Sequence, residues 1–112
     1  MTYALSGETT IGLSGQHQVN ASYDALDPDV RRMMEVRQGS MQAFQELVQR
    51  YQHRVSALLT RLVGHHRETD DLAQEVFMRV YRARERYTPA ARFSTWLFTI
   101  VSNVASNARR TL

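Results

Sequence analysis

The chain has 112 residues, 43% of them hydrophobic, which suffices for one buried core but not two and is too apolar for a wholly disordered protein. It contains no cysteine, so disulfides, thiolate zinc sites and thiol catalysis are excluded. The net charge is +3 and all 14 basic residues are arginine, a side chain suited to phosphate forks and to stacking on bases.

Residues 1–26 are rich in Gly, Ser and Thr, lack a sustained period, and read as a disordered N-terminal extension outside the fold. No charged segment followed by an apolar one opens the chain, and no apolar run is long enough for a membrane. Secretion and membrane insertion are therefore not expected, and the expected location is cytoplasmic.

The folded unit is expected over 27–112. Asp27-Pro28 is a helix start, an N-cap acceptor followed by proline at the first helical position. Val30, Met33, Met34 and Arg37 then follow helical spacing up to Gly39. Ser40 caps a long second helix in which Met41, Phe44, Leu47, Val48, Tyr51, Val55, Leu58, Leu59, Leu62 and Val63 recur at helical steps. Glu46 and Arg50 are spaced to pair along it, and Gly64 ends it.

A turn through HHRET leads to a third helix, expected from roughly Asp70 to Arg86. At ~100° per residue, Leu72, Ala73, Val76, Phe77, Val80 and Ala83 share its core side. Asp71, Gln74, Glu75, Met78 and Arg82 share the other. The loop YTPAAR carries the second proline and breaks the helix. A fourth helix opens at Phe93-Ser94, with Ser94 as N-cap and Phe93 stapled on Phe98. Leu97, Ile100, Val101, Val104, Ala105 and Ala108 face the core, while Thr99, Asn103, Ser106, Asn107 and Arg110 face away. No alternating strand pattern occurs, so the fold is all-α: a compact bundle of three main helices plus a short N-terminal one.

The polar faces hold the functional information. Glu68, Asp70, Asp71 and Glu75 load the start of the third helix with negative charge; Arg79, Arg82, Arg84, Arg86 and Arg92 follow. An acidic patch beside a basic one points to two different partners. Acid at a helix N-terminus favours the macrodipole, which accounts for Asp70 and Asp71 but hardly for Gln74. A carboxylate–amide–carboxylate stripe of Asp71, Gln74 and Glu75 suits an arginine-bearing partner helix.

Between Tyr81 and Trp96, arginines interleave with aromatics, which fits either a platform for single-stranded nucleic acid or a solvated face over a core. Asn103 and Asn107 are poor helix formers one turn apart, with carboxamides that suit base edges or phosphates; a polar outer face near a helix end is the simpler alternative. For a small helical metalloenzyme drawing on the His65-His66 turn, His66 and Asp70 would lie one turn apart on a helix, but no clear third ligand joins that pair. Glycine-rich phosphate loops, nucleophile elbows and HExxH are absent, so no enzymatic activity and no cofactor are expected.

AFQELVQRYQHRV, DDLAQEVFMRVYRA and RFSTWLFTIVSNVASNARR together resemble region 2 of bacterial sigma factors of the extracytoplasmic-function (ECF) group, over residues 28–110. The resemblance implies that the helix bearing D-L-x-Q-E docks on the β′ coiled coil of core RNA polymerase, through Asp71, Gln74, Glu75 and neighbouring Met78. It implies that the loop and last helix recognise and melt the minus-ten promoter element. There they would bind its non-template strand and capture a flipped base without nucleotide hydrolysis. The expected DNA face is Arg82, Arg86, Tyr87, Thr88, Arg92, Trp96, Asn103, Asn107 and Arg110, with Tyr87 and Thr88–Arg92 at the base pocket. An anti-sigma factor is a further implied partner.

Family loops commonly carry a Gly-acidic-small pattern where this one reads Thr88-Pro89-Ala90-Ala91-Arg92, so no base preference transfers. Full sigma factors add a helix-turn-helix domain for the minus-35 element; these 112 residues read as a region 2 domain or a sigma-like fragment. A decoy that sequesters an anti-sigma factor is the alternative, disfavoured because both faces are kept.

Overall fold

Caps and apolar rows explain most of the helix boundaries in the computed structural model, which describes residues 27–64 and 66–111. Helix α1 spans Pro28–Arg37. Asp27 Oδ1 accepts the Asp29 N–H at 3.0 Å, and Pro28 occupies the first turn, where its missing N–H leaves no bond unmade. Gly39, at φ 104°, turns the chain through the left-handed region, and the Ser40 N–H closes onto the Glu35 carbonyl at 2.9 Å. Ser40 Oγ then accepts the Ala43 N–H at 3.0 Å and starts α2, Met41–Val63.

Ala43, Leu47, Tyr51, Val55 and Leu59 of α2 are buried, a row of four-residue steps. That row makes α2 the spine on which α1, α3 and α4 pack. Gly64, at φ 86°, ends the helix, its N–H on the Thr60 carbonyl at 2.8 Å. Helix α3 follows almost at once, at His66–Arg82, four residues earlier than expected. The acidic residues that suggested a start at Asp70 lie within its first turns, where the dipole favours negative charge without fixing the first residue. Thr60 and Thr69 hydroxyls meet at 3.1 Å and tie the end of α2 to the start of α3.

The last turn of the expected third helix tightens into a 3₁₀ segment, Ala83–Glu85, ahead of the loop. Helix α4 spans Phe93–Thr111. Ser94 does not cap it: the Arg92 carbonyl accepts from the Trp96 N–H at 3.2 Å, so the helix begins before Ser94. The Phe93 N–H goes instead to Asp27 Oδ2 at 2.9 Å, 66 residues away. Phe93 and Phe98 both lie against Tyr51, with ring centroids at 5.5 and 6.3 Å, rather than forming the local staple expected.

The described residues form a helical bundle joined by short turns and loops, without a strand, as the all-α reading requires. The reading of 1–26 lies outside the described residues. Among them, no helix is long and apolar enough to cross a membrane.

One charged side chain lies deep in the bundle. Asp29, 4% exposed, accepts from Tyr51 Oη, from Arg32 Nη1 at 3.1 Å and from Arg50 Nε at 2.9 Å. Three donors repay the desolvation of the carboxylate, and they pin α1 to α2. Glu46 thus bonds Arg32 across helices at 3.2 Å, not Arg50 along its own. Burial, and then the Asp29 carboxylate, push the Tyr51 phenol up to about 12.

Candidate protein and nucleic-acid interfaces

The first face lies on α3. Its register places Val76, Phe77 and Val80 in the core and turns Asp71, Gln74 and Met78 outward, with Glu75 partly exposed beside them. Glu75 Oε2 accepts from Arg79 Nε at 2.9 Å, the favourable Glu-before-Arg order, with Arg82 Nη1 at 3.9 Å. A partner arginine arriving at Glu75 must therefore displace or share Arg79. Asp71 and Gln74 are the more accessible members of the stripe.

Beside this stripe an open groove of about 900 Å³ runs between α2 and α3. Met41, Phe44 and Val48 line one wall; Phe77, Met78 and Tyr81 line the other. Met41 and Met78 are each 50% exposed, so Met41 is not core as the apolar row of α2 had placed it. Periodicity assigns Met41 to the buried side, but it sits at the first helical position, at the open end of the groove between α2 and α3. Two flexible thioethers at the lip of an apolar groove suit an adaptable protein contact.

The second face comprises the loop after α3 and the outer side of α4. Thr88 and Arg92 are exposed, as are Arg82 and Arg86. Tyr87 is not: it is 3% exposed, its ring edge-on to Trp96 with centroids 4.9 Å apart. Its buried hydroxyl has no hydrogen-bond partner, and burial, with the charge of Asp27 adding to it, pushes the phenol upward. An aromatic platform at Tyr87 is thereby corrected. The ring braces Trp96, itself only partly exposed and packed on Phe93 at 5.6 Å, and offers no face to a base. The sequence pattern missed this because aromatic–arginine alternation looks alike whether the rings point in or out. Arg84 spends its guanidinium locally, on the Tyr81 carbonyl at 2.9 Å and 4.0 Å from the centre of the Tyr81 ring.

Farther along α4, Asn103 and Asn107 are exposed on one side, one turn apart. With Ser106, Arg109, Arg110 and Arg79 of α3 they enclose a polar recess of about 600 Å³. Arg110 Nη2 donates to Asn107 Oδ1, and Arg109 Nη1 reaches the Leu62 carbonyl at 3.4 Å. Amide and guanidinium donors around one recess suit phosphate and base-edge acceptors. Arg79 belongs to both faces: it bonds Glu75 of the first and lines the recess of the second. The acidic and basic regions therefore adjoin at this residue.

Among the described residues no three acidic or histidine side chains gather as metal ligands. The His65–His66 pair lies outside the described side chains. His53 is exposed on α2.

The family described as sigma-70 region 2 matches residues 47–112. RNA polymerase sigma factor CarQ of Myxococcus xanthus is 41% identical over 78 residues, covering 70% of this chain and 45% of that protein. The ECF RNA polymerase sigma-E factor of Haemophilus influenzae is 43% identical over 72 residues, 64% of this chain and 38% of its own length. The chain thus spans less than half the length of these curated relatives. Among solved structures, an engineered region 2 of sigmaE, determined by NMR in complex with GTAAAA, superposes with a TM-score of 0.67 at 39% identity. The match covers 71% of this chain and 83% of that one.

Proposed function

The chain belongs to the sigma-70 region 2 family, and from that membership we propose that it acts in promoter recognition by bacterial RNA polymerase. In this reading the α3 face of Asp71, Gln74, Glu75 and Met78 docks on the β′ coiled coil of the core enzyme. The apolar groove beside it takes the partner's apolar side chains, and an anti-sigma protein covering the same groove would block that docking. The loop 86–92 and the outer side of α4 hold the non-template strand of the minus-ten element. Arg82, Arg86, Arg92 and Arg110 supply phosphate contacts, and Thr88, Trp96, Asn103 and Asn107 meet bases or backbone. A base captured outside the stack offsets part of the unstacking cost, so melting needs no nucleotide hydrolysis.

The observation that most supports the DNA half is the likeness to the region 2 domain solved with GTAAAA, combined with the exposed pair Asn103 and Asn107 on α4. That hexamer is a direct probe. Titration of the chain with labelled GTAAAA and with a scrambled hexamer of the same composition, at low and moderate salt, tests the reading. The expected result is a preference of about fivefold or more for GTAAAA, weakening of both as salt rises, and a smaller preference in Asn103→Ala. Equal affinity for the two hexamers would contradict sequence reading by this surface.

A further inference from the structure

Two hydrogen bonds tie the loop between α3 and α4 back to α1, and each spans a long stretch of chain. Arg37, in the last turn of α1, donates from Nη1 to the Tyr87 carbonyl at 2.9 Å, 50 residues away. At the other end of the same helix, Asp27 caps α1 with Oδ1 and accepts the Phe93 N–H with Oδ2 at 2.9 Å. One carboxylate thus serves two helix starts. The loop begins at one end of α1 and finishes at the other.

Helix α1 has 10 residues and is stiff, about 15 Å long at ~1.5 Å per residue. Its two ends therefore set the span that residues 87–93 must bridge. Inside the span Tyr87, Pro89 and Phe93 are buried whereas Thr88, Ala90 and Arg92 are exposed, and the Ala90 N–H closes onto the Thr88 carbonyl at 2.8 Å. A loop left free would lose backbone entropy at every residue that a ligand ordered. Anchoring both ends in advance removes part of that cost at the moment of binding. The Arg37 bond belongs to neither helix's own ladder, and Arg37 is exposed at the end of α1.

We propose that α1 is the positioning element of the base-reading loop, with Arg37 and Asp27 holding its two ends so that Thr88, Ala90 and Arg92 meet single-stranded DNA in one preset shape. This assignment rests on the DNA reading of the loop proposed above. Neither residue touches DNA in it; both act through the loop backbone.

The test uses the whole 112-residue chain. Arg37→Met removes the donor and keeps an apolar stem, and Arg37→Lys keeps a donor. Amide hydrogen exchange at 88 and 90–92 is measured without DNA, then affinity for GTAAAA and for hexamers altered one base at a time. Arg37→Met is expected to speed loop exchange about tenfold while exchange in the helices stays unchanged. It is expected to weaken GTAAAA three- to tenfold and to flatten the ranking among hexamers, with Arg37→Lys restoring both in part.

Unchanged loop exchange overturns the proposal, as does faster exchange with affinity and ranking intact. Faster exchange throughout α1 and α4 also overturns it, because Arg37 then supports the fold rather than the loop. A wild-type chain that fails to rank the hexamers contradicts the DNA reading itself, and is distinguished by loop exchange that still answers to Arg37→Met.

Discussion

Asp29 is charged yet buried, and the three donors around it come from two helices. Tyr51→Phe removes the shortest of those contacts while Arg32 and Arg50 stay, so a loss of about 1–2 kcal/mol is expected in urea unfolding. Asp29→Leu, which leaves two arginines without their carboxylate, is expected to cost more. The same tyrosine imposes an alkaline limit. Its pKa rises from 10.0 to about 12 on folding, so the stabilisation is complete below pH 10 and declines as pH climbs toward 12, where the unfolded phenol ionises first. Buried Tyr87, pushed in the same direction, adds to the decline. Melting curves from pH 8 to 11 should show Tm falling above pH 10, less steeply in Tyr51→Phe.

Spacing alone hid this cluster. A four-residue interval names neighbours on one helix, and Glu75 and Arg79 are such a pair in the structure. Glu46 and Arg50 have the same interval, but α1 presents Arg32 and Asp29 to them, and the interhelical contacts win. The same limit explains Tyr87: composition identified an aromatic in the loop, and only packing against Trp96 shows that its ring points inward.

Among the elements, those with local caps were legible almost to the residue. Asp27-Pro28, Ser40, Gly39 and Gly64 carry their own stereochemistry, and α1 and α2 begin and end on them. The start of α4 at Phe93 was legible, but its cap was wrongly given to Ser94, because its first N–H is satisfied from Asp27 and no sequence window contains both. Gly64 offers a check on the local logic. At φ 86°, with nothing within 4 Å of an added Cβ, it is held to glycine by backbone strain alone. Gly64→Ala should therefore destabilise the domain by about 1–2 kcal/mol without altering the α2–α3 contact, as chemical denaturation read beside an unchanged NMR fingerprint of the core would show.

Taken as a whole, the small bundle presents two chemically different faces, which the proposed function assigns to protein and to DNA. The α3 stripe and its groove combine Asp71 and Gln74 with apolar depth at Met41 and Met78, a surface matched to a helical protein partner. The α4 side combines Asn103 and Asn107 with arginines and has little apolar depth. Both stripes were visible as periodic polar positions, but the groove was not, because it forms only when α2 and α3 pack together. Arg79 joins the two faces, so its removal is expected to act on both. Arg79→Ala should strengthen docking of an arginine-bearing helix at Glu75, weaken hexamer binding, and lower the salt dependence of the latter by roughly one phosphate contact.

The most direct test of the two-face account sets two double variants against two ligands in one binding matrix. Gln74→Ala/Glu75→Ala and Asn103→Ala/Asn107→Ala are each titrated with a β′ coiled-coil fragment and with GTAAAA. The first variant is expected to lose about tenfold or more for the coiled coil and keep its DNA affinity, and the second to do the reverse. Comparable losses for both ligands in either variant, or none in both, would contradict the two-face account.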